Sequence, residues 1–209
     1  MQIVINGNHF VLLPQRAIYW KEQSALILSD LHLGKAMHFR KAGIAVPHGV
    51  MNENLINLTN LIAKYEPAKL IIVGDMFHSV HNNEVSVFDI WRSQFTKPDI
   101  LLVKGNHDIL GAASYRNMDI EVFDVLDLDG FAFAHECLEN DARFCFSGHI
   151  HPGIRVDGAG RQSIKLPCFH FTKSACTLPA FGTFTGYVMI RPKKEDKVFA
   201  ILEKEVIRL

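Results

Sequence analysis

Residues 26–32 read LILSDLH, a short apolar run that ends in an aspartate and a histidine. Four later segments repeat this arrangement: LIIVGD at 70–75, LLVKGNHD at 101–108, FAFAH at 131–135 and FCFSGHIH at 144–151. Each apolar run has the length and composition of a buried β strand. Apolar residues recur with helical spacing at 49–65 and 84–96, between the first three runs. This strand-helix-strand order predicts an α/β sheet.

Polar side chains close all five runs. In an open α/β sheet, ligands bind beyond the carboxyl ends of the strands, so these side chains are expected together at one sheet edge. The set comprises Asp30, His32, Asp75, Asn106, His135, His149 and His151. Burying so many ionisable groups is costly unless a cation compensates them. The sequence therefore predicts a metal centre.

The spacing and type of these side chains indicate which metals bind. Asp30 and His32 are two residues apart, as are His149 and His151, and alternate residues of an extended backbone point to the same side. Each pair is therefore expected to share a metal region. Carboxylate, amide-oxygen and imidazole ligands suit Mn, Fe, Zn or Co better than Ca. Seven ligands are too many for one tetrahedral site, which indicates two metal ions.

The chain as a whole reads as one domain spanning residues 1–209, because no linker or repeat divides it. The chain has 22 Lys and Arg residues and 22 Asp and Glu residues, so its net charge provides no general attraction for nucleic acid. Without a leader-like N-terminus or an apolar stretch of about 18 residues, a cytoplasmic protein that does not enter membranes is expected. The four cysteines are expected to be buried and to pack as small hydrophobic residues: Cys137, Cys145, Cys168 and Cys176.

The polar clusters also resemble a known superfamily. The order and spacing of SDLH (29–32), GDMFH (74–78), GNHD (105–108), His135 and GHIH (148–151) are similar to those of the calcineurin-like metallophosphoesterases. Three further stretches, LLPQRAIYW (12–20), SDLHLGKAMHFRKAGIAVP (29–47) and LPAFGTFTGY (178–187), resemble the bacterial ligase-associated DNA-damage-response phosphoesterases and endonucleases. The resemblance implies a four-layer α/β/β/α sandwich, in which two mixed β sheets pack face to face with flanking helices.

The same resemblance divides the ligands between two sites. Asp30, His32, Asp75 and His151 would hold one metal, and Asp75, Asn106, His135 and His149 the other, so that Asp75 bridges. His107 matches the catalytic histidine, which would protonate the leaving oxygen, and Asp108 matches the acid that holds its tautomer. Two metals would activate a bridging hydroxide, which attacks phosphorus.

Several residues near the motifs have two interpretations. His78 stands where many family members carry a second Asp. It is expected either to contact the metal ligands or the substrate, or to be an ordinary surface or core histidine. Lys35, Arg40 and Lys41 are candidates for gripping a phosphate backbone, with a solvated helix face as the alternative. Structural roles are expected for the histidines outside the motifs, His9, His38, His48, His81 and His170.

The motifs favour a phosphodiester substrate. GDMFHS (74–79) and VKGNHD (103–108) lack the arginines with which protein phosphatases grip a phosphomonoester. The resemblance implies a Mn-dependent phosphodiesterase that processes DNA ends or acts as an endonuclease in DNA repair, beside a DNA ligase and a helicase. The chain is too short to carry the large capping domain of double-strand nucleases, so an end, a flap or a single strand is the expected form of DNA. A small-molecule phosphodiesterase or nucleotide pyrophosphohydrolase is the alternative. A non-catalytic scaffold is disfavoured, because every ligand position is filled.

Overall fold

The computed structural model describes residues 1–33, 50–77, 83–138, 141–158, 160 and 162–209. Its first sheet has seven strands in chain order: β1 Gln2–Ile5, β2 Asn8–Leu13, β3 Ala17–Trp20, β4 Ala25–Leu28, β5 Lys69–Val73, β6 Asp99–Val103 and β7 Ile120–Phe123. Strands β1 to β4 pair antiparallel, whereas β4 to β7 pair parallel.

In this sheet, the strands become parallel where the connections between them contain helices. Helix α1 (Val50–Tyr65) precedes β5, α2 (Asn83–Arg92) precedes β6 and α3 (Ala112–Asn117) precedes β7. A parallel pair needs a crossover connection, which is usually a helix. The predicted α/β alternation is therefore confirmed.

The second sheet is mixed and contains the later strands of the chain. They are β8 Leu126–Leu128, β9 Phe131–Phe133, β10 Phe144–Ser147, β11 Pro152–Asp157, β12 Ser163–Phe171, β13 Ala175–Thr177, β14 Val188–Met189, β15 Lys197–Ile201 and β16 Val206–Arg208. The spatial order is β14-β11-β12-β13-β10-β9-β8, with β15 and β16 extending from β12. Because β9 and β13 both run parallel to β10, the carboxyl ends of these three strands lie together.

Strand β4 shows how the layers are arranged. Leu26 and Leu28 pack towards the helices, whereas Ala25 and Ile27 pack into the layer between the two sheets. Both faces of the strand are buried, which explains why its sequence is apolar without interruption. The face-to-face packing of two mixed sheets is confirmed, and every helix of the described chain lies on the outer face of the first sheet. Among the helices in these ranges, none is long and apolar enough to span a membrane.

The cysteine prediction is wrong for one pair. Cys137 and Cys145 form a disulfide, with their Cα atoms 6.1 Å apart. The chain turns back between β9 and β10 and brings the two residues together, which a separation of eight residues does not reveal. Cys168 and Cys176 are free and buried, as predicted.

Candidate metal centre

The predicted ligands meet at one end of the sandwich but come from two sheets. Strands β4, β5 and β6 of the first sheet and β9 and β10 of the second lead to them. The expectation of a single sheet edge is therefore wrong. A hydrogen bond from backbone to side chain joins the two groups of loops, since the N–H of His149 donates to Oδ2 of Asp30 at 3.2 Å.

Asp30, His32 and His151 form the first group, whose ligand atoms all lie within 4.8 Å of one another. Oδ1 of Asp30 is 3.0 Å from Nε2 of His151 and 4.0 Å from Nε2 of His32. The two Nε2 atoms are 3.4 Å apart. A buried carboxylate and two imidazoles directed at one point form a donor set suited to a transition metal.

Asp30, Asp75 and His135 form the second group. Oδ2 of Asp75 lies 3.6 Å from Nε2 of His135, and Nδ1 of His149 lies 3.2 Å from the same nitrogen. Asp30 belongs to both groups and Asp75 to the second. The bridging of two metal ions by Asp75 stays a prediction. Asn106 lies exposed in the loop after β6.

The two oxygens of Asp30 have different surroundings. Oδ2 accepts hydrogen bonds from the Ser29 hydroxyl at 2.5 Å and from the His149 amide. Oδ1 is buried and receives no hydrogen bond from the described residues. Burial raises the pKa of Asp30, but His151 and the Ser29 hydroxyl outweigh it, so the pKa lies below its ordinary value. Such an ionised oxygen is costly to bury, and a cation removes that cost.

Five of the seven predicted ligands have a left-handed backbone conformation. Their φ angles are 53° at Asp30, 46° at His32, 51° at Asp75, 67° at His149 and 51° at His151. This conformation is uncommon outside glycine, and Asp, Asn and His tolerate it best. The extended backbone expected within the Asp30/His32 and His149/His151 pairs is therefore wrong, because the chain bends sharply where each strand ends. Such strained positions cluster at functional sites.

A glycine stands directly before a ligand in three motifs, and each allows a close approach. A Cβ atom on Gly74 would lie 1.9 Å from Nδ1 of His135, and one on Gly105 would lie 2.3 Å from Oδ1 of Asp75. A Cβ on Gly148 would lie 2.6 Å from Oδ2 of Asp30. Sequence reasoning assigned no role to these glycines or to Ser29, although their places in the motifs were a signal.

His107 and Asp108 occupy the loop after β6. The backbone N–H of His107 donates to Oδ1 of Asp75 at 2.9 Å, and its exposed ring lies 5.7 Å from the ring of His32. Asp108 is buried, and burial raises its pKa above the ordinary value although backbone amides oppose the shift. The orientation of His107 by Asp108 stays a prediction.

The carboxylate of Asp108 binds backbone instead of projecting into solvent. Oδ1 accepts from the amides of Met76 and Phe77 at 2.9 and 3.2 Å, and Oδ2 accepts from the amide of Gly105 at 2.9 Å. Both oxygens are thereby engaged. Asp108 fastens the loop after β5 to the loop after β6, so it fixes two ligand loops relative to each other.

Some predicted residues fall outside the described part of the chain. They are Lys35, His38, Arg40, Lys41, His48, His78 and His81, and their roles stay predictions. Away from the ligands, His9 bonds Glu22 at 2.7 Å and His170 bonds Asp196 at 2.9 Å. Both contacts agree with the expected structural roles.

Comparison with known proteins identifies similar chains. Residues 24–149 match the family model of calcineurin-like phosphoesterases, and no curated protein matches the chain. The crystal structure of Pseudomonas putida nuclease MPE is 30% identical, covers 100% of this chain and 99% of that chain, and has a TM-score of 0.84. An Aquifex aeolicus protein of unknown function, AQ665, is 17% identical, with 61% of this chain and 78% of that chain covered and a TM-score of 0.41. The E. coli phosphoesterase Yfce is 11% identical, with 88% of this chain and 97% of that chain covered and a TM-score of 0.45.

Proposed function

The chain belongs to the calcineurin-like phosphoesterase family, and from that premise we propose that it is a nuclease that cleaves phosphodiester bonds of DNA at two divalent metal ions. The strongest support for a metal centre is the environment of Oδ1 of Asp30, a buried oxygen that accepts no hydrogen bond from the described residues. It faces Nε2 of His151 at 3.0 Å. Identity of 30% along the whole chain to a nuclease supports a nucleic acid as the substrate.

The proposed ligands are the seven side chains at the strand ends: Asp30, His32, Asp75, Asn106, His135, His149 and His151. Mn is the first candidate, and Fe, Zn and Co are alternatives for this mixture of oxygen and nitrogen donors. Held by these residues, two such ions would polarise the phosphoryl oxygens and lower the pKa of a bound water. The buried carboxylates of Asp30 and Asp75 supply the negative charge that attracts the cations.

His107 is proposed to act on the leaving group. Its backbone is tied to Asp75, and its ring is exposed beside that of His32, where a bound phosphodiester would lie. An imidazole there is able to stabilise developing charge and to donate a proton to the departing oxygen. Asp108 supports this placement, because it fastens the loop that carries His107 to the loop that carries Asp75.

The proposal is tested by comparing substrates with Mn-reconstituted protein. The set comprises bis-p-nitrophenyl phosphate, p-nitrophenyl phosphate, single-stranded and flapped DNA, and nucleoside triphosphates. We expect cleavage of the diester and of DNA, and a loss of about 10²- to 10⁴-fold in His107→Ala. Turnover of nucleotides without cleavage of DNA would instead support the small-molecule pyrophosphohydrolase. Less than one equivalent of bound Mn would contradict the two-metal centre.

A place in DNA repair beside a DNA ligase and a helicase is also part of the proposal. It derives from the resemblance of residues 12–20, 29–47 and 178–187 to the ligase-associated phosphoesterases. Co-purification of the native protein with the ligase or the helicase of the same cell would support it. Recovery of neither would count against this part without affecting the catalytic proposal.

A further inference from the structure

Residues 178–188, here called the strap, cross from the second sheet to the first beside the metal ligands. Four backbone hydrogen bonds of 2.8–3.1 Å attach the strap, from Leu178 to Ser147, Phe181 to Ser29, Gly182 to Asp30 and Val188 to His151. Within the strap, only Val188 belongs to a strand, β14. The strap is therefore joined to ligand-bearing segments of both sheets.

Two side chains outside the strap hold its backbone in place. Nη1 of Arg16 donates to the carbonyl oxygens of Ala180 at 3.3 Å and Gly182 at 3.4 Å. Oδ1 of the buried Asn54 accepts from the amide and the hydroxyl of Thr183, both at 3.3 Å. These contacts fix the strap relative to the first sheet and to helix α1.

Tyr187 is an exposed aromatic residue of the strap that is held at two points. Its ring lies against the backbone of Gly153, where an added Cβ would be 2.3 Å from the ring atom Cδ2. Its hydroxyl donates to the carbonyl oxygen of Lys165 at 3.0 Å. Tyr187 is nevertheless 37% exposed. A ring that is held by packing on Gly153 and by its hydroxyl hydrogen bond loses little conformational entropy when a ligand packs on it.

Tyr187 is also close to the ligand His151. It precedes Val188, whose amide bonds the carbonyl oxygen of His151 at 3.0 Å. From covalent geometry, Cα of Tyr187 is on the order of 5 Å from that oxygen. Phe184, 36% exposed, lies three residues earlier on the same strap. The strap thus carries two partly exposed aromatic residues, one of which, Tyr187, directly precedes the residue that bonds the backbone of His151.

We infer that the strap binds the nucleobase beside the scissile phosphodiester, with Tyr187 as a stacking platform and Phe184 as a second contact. This inference rests on the proposed nuclease function and names the form of its substrate. Aromatic side chains stack on any base, because every base has a π face. The bases of a duplex already stack on each other, whereas those of a single strand or flap are available. The strap therefore favours unpaired nucleic acid.

The test compares two single-stranded oligonucleotides of equal length and charge, one of thymidine residues and one of abasic tetrahydrofuran residues. We expect the wild-type protein to cleave the thymidine strand with a kcat/KM about 5- to 150-fold higher, the range given by one base stacked on an aromatic ring. Tyr187→Ala should lose most of that preference, chiefly through KM. Tyr187→Phe, which keeps the ring, should retain it.

Two further variants separate stacking from damage to the fold. Gly153→Ala inserts a Cβ where the ring lies and should reduce the preference as Tyr187→Ala does, whereas Ile90→Ala, 64% exposed on α2, should not. Thermal unfolding midpoints of all variants show whether each is folded. If Tyr187→Ala keeps the wild-type preference, the inference is wrong while the nuclease function stands. If the wild type cleaves the aryl diester but neither oligonucleotide, the proposed DNA substrate fails, and the inference with it.

Discussion

The layer between the two sheets and the ligand cluster at its end differ in the chemistry of the side chains that they bury. Between the sheets, the rings of Phe10, Trp20, Phe131 and Phe146 pack with centroids 5.1–5.9 Å apart. At the strand ends, ionisable atoms of Asp30, His32 and His151 approach to 3.0–4.0 Å. Burial of the rings stabilises the fold, whereas burial of the ligands costs free energy until a cation binds.

This difference means that stability and metal binding reside in separate parts of one molecule. The aromatic layer should support folding whether or not metal is present. The ligand cluster should gain further stability from the cations that it binds, by mass action on the folded state. Substitutions in the two regions should therefore differ in how their effects depend on metal.

The largest effect is expected at the carboxylate shared by both groups of ligands. Asp30→Asn removes a charge needed for the cations and should lower Mn-dependent activity by about 10³-fold or more. Without metal, the variant should unfold at the same temperature as the wild type or somewhat lower, because the contacts with His151 and the Ser29 hydroxyl, which lower the pKa of Asp30, favour the ionised carboxylate in the folded state. Activity assays and calorimetry with and without Mn measure both effects.

Asp99→Asn is the matched control for this change, because Asp99 is exposed at the opposite end of β6. It should change neither activity nor the unfolding temperature. If Mn raised the unfolding temperature of Asp30→Asn as much as that of the wild type, the contrast between the two regions would be contradicted.

The second effect lies in the aromatic layer. Phe146→Ala removes a fully buried ring and should lower the free energy of unfolding by about 3–5 kcal/mol, equally with and without Mn. Denaturant unfolding under both conditions measures it. Val4→Ala, at a residue 60% exposed, should stay within about 0.5 kcal/mol of the wild type. A loss at Phe146 that Mn reverses would show that the layers are not independent.

A smaller effect is expected from a glycine beside a ligand. Gly148→Ala places a Cβ 2.6 Å from Oδ2 of Asp30 and 2.8 Å from the carbonyl oxygen of Val73, so the carboxylate must move. We expect Mn affinity to fall by about 10- to 100-fold, as for other disturbances of groups that orient ligands. Gly111→Ala, with open space around the added Cβ, is the control in the same titration. Equal affinities for the two variants would refute the steric account.

The smallest predicted effect concerns Ser29. Its hydroxyl donates to Oδ2 of Asp30 and helps to leave Oδ1 for a cation. Ser29→Ala should weaken Mn binding by about 10-fold, the lower limit for groups that hold ligands. Isothermal titration compares it with Ser93→Ala, whose exposed hydroxyl bonds only its own helix turn among the described contacts. Unchanged affinity in Ser29→Ala would show that the His149 amide suffices.

The features that the sequence predicts correctly depend on residues that are close to each other in the chain. The apolar run of β4 and the polar residues that follow it stand next to each other in the chain, so both could be recognised. Helix α1 was recognised from its apolar spacing, and its observed bounds, Val50–Tyr65, differ from the prediction by one residue. Strand β7, Ile120–Phe123, was missed because its short run has exposed residues in its middle.

The features that were missed depend on contacts between distant segments. His149 donates to Asp30 across 119 residues, which no spacing rule reveals. The approach of Gly148 to Asp30 is of the same kind, and so is the disulfide of Cys137 and Cys145. The left-handed backbone at Asp30 was missed because the residue follows a strand and was assumed to continue it.

The left-handed conformation of the ligands has a consequence for how such a site changes over evolutionary time. Apart from glycine, the residues that accept this conformation most readily are Asn, Asp and His. These same three types offer the oxygen and nitrogen atoms that bind divalent cations. A substitution at Asp75 or His149 that preserves the loop is thus drawn from a small pool already rich in ligands. Selection can retune which cation is preferred, one residue at a time, without rebuilding the loops.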